Sequence, residues 1–535
     1  MTKEAKIIAV KNRMNVHSVF SLVLFLALFT WSNNTFSQKK LVKLVRADVS
    51  EFDKSYIDAQ RVKGNVQFIY EGTLFYCDSA HIFTNKDFDA FGNIRIIKPG
   101  EFNLVGDVMH VDQKSKVATI NNNVVLRDNQ MTLTSNRLIY NIDSEIASYT
   151  GGGKIVSNAN QNVLNSKEGS YHTKTEIFYF RNKVVLKNPD YTVNSDTLKY
   201  NDRTEVAYFF GPTTIKGDDT FIYCENGWYN TDKDICQFNK NAFVRSEKTE
   251  LRGDSIYYNG EVGFGEVFKK VTIRDTTANF FISGEYGYHE EKTKKSFVTE
   301  KALLTQFFEG GDSLFMHADT LKSVPDSLGK DVLYAFYGVK IFKDDLQGKC
   351  DSLVYAVSDS TLRMFNEPVL WSDENQITGD SIRITMANNK IDRMFVRENA
   401  FIISETRQGK YNQIKGRKLT ADFIDSKINS VYVEGNGQLV YFPVEEKKDS
   451  LSNKPPKLIG LNKGDCSNIF IQIKENEIKK LRLEREANST FSPMKMADSA
   501  NFLLEGYKWL IDLRPKSKAD LFLKPNIELE LEKGK

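Results

Sequence analysis

Cysteine is scarce in this chain: Cys77, Cys224, Cys236, Cys350 and Cys466 are the five in 535 residues. An odd number so widely scattered is not a disulfide framework, and no C-x-x-C or Cys/His spacing suggests zinc. Only Cys224 and Cys236 are close enough in sequence to pair across one hairpin; the alternative is small buried strand residues. Histidine numbers six, which leaves little acid–base equipment. Walker loop, H-E-x-x-H, G-x-G-x-x-G and G-x-S-x-G elbow are all missing. Beyond the first forty residues there is no apolar run of about 18 residues, which excludes a polytopic helical membrane protein. Disorder along the whole length is excluded by 37 Phe, 23 Tyr and 4 Trp.

The one long apolar stretch is at the start. Lys3, Lys6, Lys11 and Arg13 precede SVFSLVLFLALFTW, from Ser18 to Trp31, and a short polar segment then ends Thr35-Phe36-Ser37. This order reads as a secretory signal peptide over residues 1–37, cleaved before Gln38, with an uncleaved anchor as the alternative. No Cys sits at the cleavage point, so lipid anchoring is not indicated. Losing four basic residues and Glu4 takes 73 basic and 70 acidic residues to 69 of each. A neutral mature chain argues against nucleic acid as the main partner, since phosphate binding needs a basic surplus.

What the chain does have is an internal repeat. LVGDVMHVD, LTSNRLIYN, VNSDTLKYN, LRGDSIYYN and ITGDSIRIT align on an acidic or amide anchor: Asp78, Asp107, Asn136, Glu168, Asp196, Glu225, Asp254, Glu285, Asp319, Asp351 and Asp380, spaced by 28 to 34 residues. The second and fourth residues after the anchor are apolar, a period of two that means a strand with one buried face. A small residue precedes the anchor (Cys77, Gly106, Ser135, Ser195, Gly253, Cys350, Gly379) and is assigned to the opposite face. A second strand follows in each unit, such as KVVLK (183–187) or GVKIF (338–342), with turns carried by Asn201-Asp202 and Gly151-Gly152-Gly153. Units of about thirty residues with two alternating strands must stack to share one interior. The expectation is an all-β, elongated stack of antiparallel strands. If each unit adds one strand of about 4.8 Å to each of two sheets, some twelve units span on the order of 60 Å. Regularity weakens after Asp380, where Arg417 takes the anchor position. The domains read as repeats over 38–442 with a candidate break near 290–330, a charged linker over 443–460 and a C-terminal segment, 461–535, of unassigned role.

Three kinds of chemistry fit these residues. GDSL at Gly311 to Leu314 and the Asp-x-x-His pairs Asp78/His81 and Asp107/His110 raise a Ser/His/Asp hydrolase. Yet GDS recurs at 253–255 and 379–381, and both histidines occupy one slot of the repeat, so architecture explains them better than catalysis. The column of carboxylates admits Ca²⁺ or a polysaccharide-processing site on a β-helix; the plainer reading has each acid bonding backbone N–H groups where its strand begins. Third, the interior is either a packed core or, if the stack is open along one side, a long apolar groove for acyl chains. The groove positions are Leu138, Tyr140, Leu198, Tyr200, Ile256, Tyr258, Val271, Ile273, Leu353 and Tyr355. No catalytic residue, metal or cofactor is assigned.

The pattern G-N-V-x-[IL], a turn, then L-x-[GSC]-D-x-[LI]-x-Y in an exported β-repeat chain resembles the OstA/LptA family of lipopolysaccharide transport proteins, which includes the periplasmic part of the translocon LptD. The likeness runs from about Arg61 to Ile384 and weakly to about Tyr441. It implies an open β-jellyroll in the Gram-negative periplasm whose interior shields acyl chains while subunits join end to end. The implied function is a non-enzymatic carrier or bridge for lipopolysaccharide or a related amphiphile. The implied partners are other bridge proteins, or a second copy, at the end strands. The chain is much longer than a minimal LptA and its C-terminal segment is too short for a barrel, so core bridge and accessory relative both stand. The rival readings are a β-helical polysaccharide-processing enzyme and a structural or adhesive repeat protein.

Overall fold

The computed structural model describes residues 42–523 apart from 53–57, 71, 130, 159–160, 247–248, 276–279, 291, 309–310, 388–389, 407–408, 425–426, 445–456, 475–476 and 500–501. The signal-peptide reading of residues 1–37 and most of the charged linker lie outside the described residues. Within them the chain is all-β, with 32 antiparallel strands and two short 3₁₀ turns near the C-terminus. No helix among the described residues is long and apolar enough to cross a membrane. Two compact units divide between Val267 and Phe268.

In the first unit Lys43–Arg46 and Val49–Phe52 both pair with Ala59–Tyr70, and from there each strand pairs with the next in a meander. Each repeat supplies two full strands, for example Met131–Asn141 with Ile146–Ser157, and Tyr191–Asn201 with Val206–Gly217. A repeat therefore adds two neighbouring strands, about 9.6 Å of ladder, where the sequence suggested about 4.8 Å. Each strand is longer than its motif because it bends in the middle and contributes to both walls of the interior.

The bend is made by a β-bulge near the middle of successive pairings from strand Ala59–Tyr70 onward. Lys63 pairs with Ser79 and Val66 with Cys77, so Gly64 and Asn65 face the single residue Asp78. Both bulge residues take left-handed backbone, φ 75° at Gly64 and 48° at Asn65, a conformation that Gly and Asn tolerate best. Extra residues of this kind bend and twist the strand that carries them. Gly92-Asn93, Asn122-Asn123, Asn182-Lys183 and Lys240-Asn241 repeat the arrangement. Gly151-Gly152 is one of these bulges in the middle of a strand, and not the turn that the sequence suggested.

Burial records the bend. Along Met131–Asn141 the buried residues are Met131, Leu133 and Ser135, then Leu138 and Tyr140, so the alternation slips by one at the anchor. The small residue before the anchor thus faces the same interior as the apolar positions, not the opposite face. It stands at the inside corner, where the walls converge: a methyl group on Gly106 would lie 2.5 Å from Ile120 Cγ2, and one on Gly379 would overlap Val396 Cγ1.

In the second unit the strands again pair largely in sequence order and the pairing crosses the charged segment, because Tyr441 pairs with Asn462 across Lys427–Tyr441 and Gly460–Lys474. Its interior is a packed cluster that runs from Val298 to Ile471. The chain then leaves the sheet and lies along the outside of one wall. Gln413, wholly buried, donates from Nε2 to the Phe502 carbonyl (2.7 Å) and accepts at Oε1 from the Leu504 N–H (2.8 Å). Gln376, also wholly buried, grips Lys508 O and Leu510 N in the same way, at 2.7 Å each. Arg514 Nε donates to Gln347 Oε1 at 2.7 Å. The segment covers a second apolar cluster of Phe401, Ile403, Val440, Phe442, Leu461 and Leu504, which makes this wall buried on both sides.

Candidate interior binding site

The recurring acids are bend fasteners. Asn93 Nδ2 donates to Asp78 Oδ2 at 2.9 Å, Asn123 to Asp107 at 2.7 Å, Asn241 to Glu225 at 2.8 Å and Asn399 to Asp380 at 3.0 Å. Asp78, Asp107 and Glu225 sit mid-strand and Asp380 just before a strand; the partner of each is the side-chain amide of the neighbouring bulge, where the sequence suggested backbone N–H groups, and Glu285 does accept a backbone N–H, from Lys270 at 3.3 Å. Glu168 still reaches Asn182 Nδ2 (3.1 Å), although Ser135 and Ser166 both pair with Gly153, which makes Lys167 the structural counterpart of Asn136. The candidate hydrolase residues are absorbed into the sheet. Ser313 begins a strand, His81 lies within strand Thr73–Phe83 with its ring 5.3 Å from that of Phe91, and His110 Nδ1 lies 2.5 Å from Asp89 Oδ1. Among the described residues no three His, Cys, Asp or Glu side chains are grouped to hold a metal ion.

Between the walls of the first unit lies an apolar cavity of about 120 Å³. One wall presents Met131, Leu164, Leu186 and Val193, and the other Phe178, Phe180, Leu198, Tyr200, Phe209 and Phe238. Its polar groups are few and mostly engaged. Asn188 Nδ2 donates to Asn162 Oδ1 (2.6 Å), Thr231 Oγ1 to the Glu205 carbonyl (3.0 Å) and the Tyr229 hydroxyl to Asp234 Oδ1 (2.8 Å). Burial, with Asp190 nearby, pushes the Tyr191 phenol up to about 12, and burial with Asp202 raises that of Tyr200 further. Both phenols stay neutral at ordinary pH, so the cavity carries no charge of its own. A dry cavity of similar size, about 150 Å³ and lined by Leu, Ile and Phe, holds benzene. This one fits a short length of hydrocarbon, and a longer one requires the walls to part.

Of the ten groove positions read from the sequence, Leu198 and Tyr200 line this cavity. Leu138, Tyr140, Ile256, Tyr258 and Val271 are buried elsewhere in the interior. Leu353 belongs to the packed cluster of the second unit, and Ile273 and Tyr355 pack against that cluster while partly buried. The Tyr140 hydroxyl is buried without a hydrogen-bond partner. The lining residues that sequence reasoning missed include Met131, Leu164, Leu186 and Val193 on one wall and Phe178, Phe180, Phe209 and Phe238 on the other. The signal of the four phenylalanines is present, because the IFYF, AYFF and CQF runs precede the bulges of strands Ile177–Lys187, Val206–Gly217 and Ile235–Arg245.

Residues 39–196 match the model of a family described as OstA-like protein. The N-terminal repeats are OstA-like. No curated protein matches the chain significantly in sequence. Among solved structures, the chain is similar to LptH of Pseudomonas aeruginosa, described as the LptA homologous periplasmic component of the conserved lipopolysaccharide transport device. That alignment has 13% identity and a TM-score of 0.19, and it covers 20% of this chain and 81% of LptH. The OstA-like match includes the strands that carry Met131, Leu164, Phe178, Phe180 and Val193, and it ends at Asp196, just short of Leu198 and Tyr200.

Proposed function

We propose that this protein is a non-enzymatic periplasmic carrier or bridge that shields the acyl chains of lipopolysaccharide or a related amphiphile. The observation that carries the reading is the uncharged cavity between the two walls of the OstA-like unit, framed by Phe178, Phe180, Phe209 and Phe238. Each methylene kept from water there lowers the cost of transfer by about 0.8 kcal/mol. Transfer itself is driven by a partner. The N-terminal edge supports end-to-end assembly: strands Lys43–Arg46 and Val49–Phe52 are short, and they expose Val45, Val49 and Phe52. Such an edge accepts a strand from a neighbouring bridge protein or a second copy.

A photo-crosslinking residue placed at Phe209 or Phe238 tests this. Purified protein incubated with lipopolysaccharide should label from these positions and not from Tyr208 or Gln237, their outward neighbours on the same strands. Equal labelling from all four, or none from folded protein, would remove the carrier reading and favour a structural repeat protein.

A further inference from the structure

The column of acids along the bend is interrupted in the second unit by Arg417, and in the first unit at Asn136. In three repeats the first bulge residue lies hard against the acid of the preceding strand. A methyl group on Gly64 would overlap the Asp48 carboxylate, one on Gly92 that of Asp78, and one on Gly211 would lie 3.0 Å from Asp196 Cβ. At Gly151 and Gly152, with φ 83° and 116°, nothing lies within 4 Å. The preceding strand offers Asn136 and the following one Lys167, both of which stand where other repeats place an acid. Around this gap is an open concavity of about 410 Å³, lined by Gly151 to Gly153 and by Lys154, Lys167 and Lys183.

These three lysines are exposed, and none forms an ion pair among the described residues. The nearest acid in sequence, Glu168, is engaged by Asn182 Nδ2 at 3.1 Å. Three exposed lysines lining an uncovered glycine backbone, with no carboxylate of the chain in the place it fills elsewhere, are complementary to an external oxoanion. We propose that this concavity binds a phosphate group, which takes the position the repeat's own carboxylate occupies in neighbouring repeats. The site is on the outer side of the wall whose inner side forms the cavity: Lys154 faces the concavity and Ile155 the interior. It does not depend on what the interior carries.

Isothermal titration of the purified protein with inorganic phosphate at low salt, and separately with phosphatidylcholine vesicles with and without phosphatidic acid, distinguishes a free from a lipid-borne phosphate. Saturable binding of either is expected, weakened about tenfold when Lys154→Ala, Lys167→Ala and Lys183→Ala are combined. The sharper variant is Asn136→Asp, which restores the missing acid. It should abolish binding while the thermal midpoint holds or rises, and Lys199→Ala, on another strand, should change nothing. No saturable binding of either probe, or binding indifferent to both Asn136→Asp and the triple variant, would overturn the proposal.

Discussion

The side-chain amide of Asn93 donates to Asp78 Oδ2 at 2.9 Å across two neighbouring strands, at the point where both bend. Asn93 is held at φ 46° and Asp78 faces the Gly64-Asn65 bulge on its other side. One acid therefore fastens a strand between two bulges. Asn93→Ala removes the bond and leaves an ordinary side chain in left-handed backbone, so it should destabilise the first unit by about 2 kcal/mol. Asn93→Gly keeps the backbone conformation and should cost less. Equilibrium urea unfolding of both variants measures the difference.

The inside corner of the bend should tolerate no added volume. Gly106→Ala brings a methyl group 2.5 Å from Ile120 Cγ2 and should cost about 1–3 kcal/mol through overpacking. Adding Ile120→Val to Gly106→Ala should recover part of that loss, because it removes volume at the point of contact. A double-mutant cycle in urea reads the coupling directly.

Stability should fall in alkali. Burial pushes the thiols of Cys77, Cys224, Cys236 and Cys350 up to about 12 from 9.0, and the phenols of Tyr171 and Tyr191 up to about 12 from 10.0. The unfolded chain releases these protons first, so the folded state loses ground as pH rises from about 9 to about 12, with no contribution from these groups below pH 8. The urea midpoint should be flat from pH 7 to 8.5 on their account and then decline. In the same molecules an aromatic disulfide reagent at pH 8 should find these four cysteines only after unfolding.

The C-terminal segment should loosen when its clasps are removed. Gln376→Ala deletes the bonds to Lys508 O and Leu510 N and leaves part-buried backbone groups unpaired, a loss of about 1–3 kcal/mol from the second unit. Hydrogen exchange at residues 502–510 should accelerate, while strands Met131–Asn141 and Tyr191–Asn201 keep their protection. Unchanged exchange at 502–510 would show that the apolar cover over Phe401 and Phe442 suffices without the glutamine.

Local alternation made the strands legible, and the thirty-residue period made the stack legible, because both depend on neighbours in sequence. The bend was hidden by its own geometry. With Ser135 and Leu138 three apart, strict alternation assigns them to opposite faces, and only a mid-strand bulge returns both to one interior. Gly151 to Gly153 carry the composition of a turn, and nothing local distinguishes a turn from a bulge. Leu198 and Tyr200 were legible as inward positions, but which stretch of the interior stays open depends on how two distant half-strands meet, and that is not written in either. The outer cover was legible only as a broken pattern. NAFIISE and QLVYFP lose their alternation because Phe401, Ile403, Val440 and Phe442 are buried on the outer side, and the glutamines that hold the cover are remote from it in sequence.

Those glutamine clasps also set a temporal order. A meander can be laid down strand by strand as an emerging chain delivers each partner next to the last, since almost every pairing joins adjacent strands. Gln376 must instead wait for a residue 134 positions later, and Gln413 for one 91 positions later. Contacts of such sequence separation form late and slowly. Until they close, Trp371, Phe401 and Phe442 face water, so a nascent second unit presents a sticky flank that the finished molecule conceals. The segment that closes last is the one that guards this flank against aggregation.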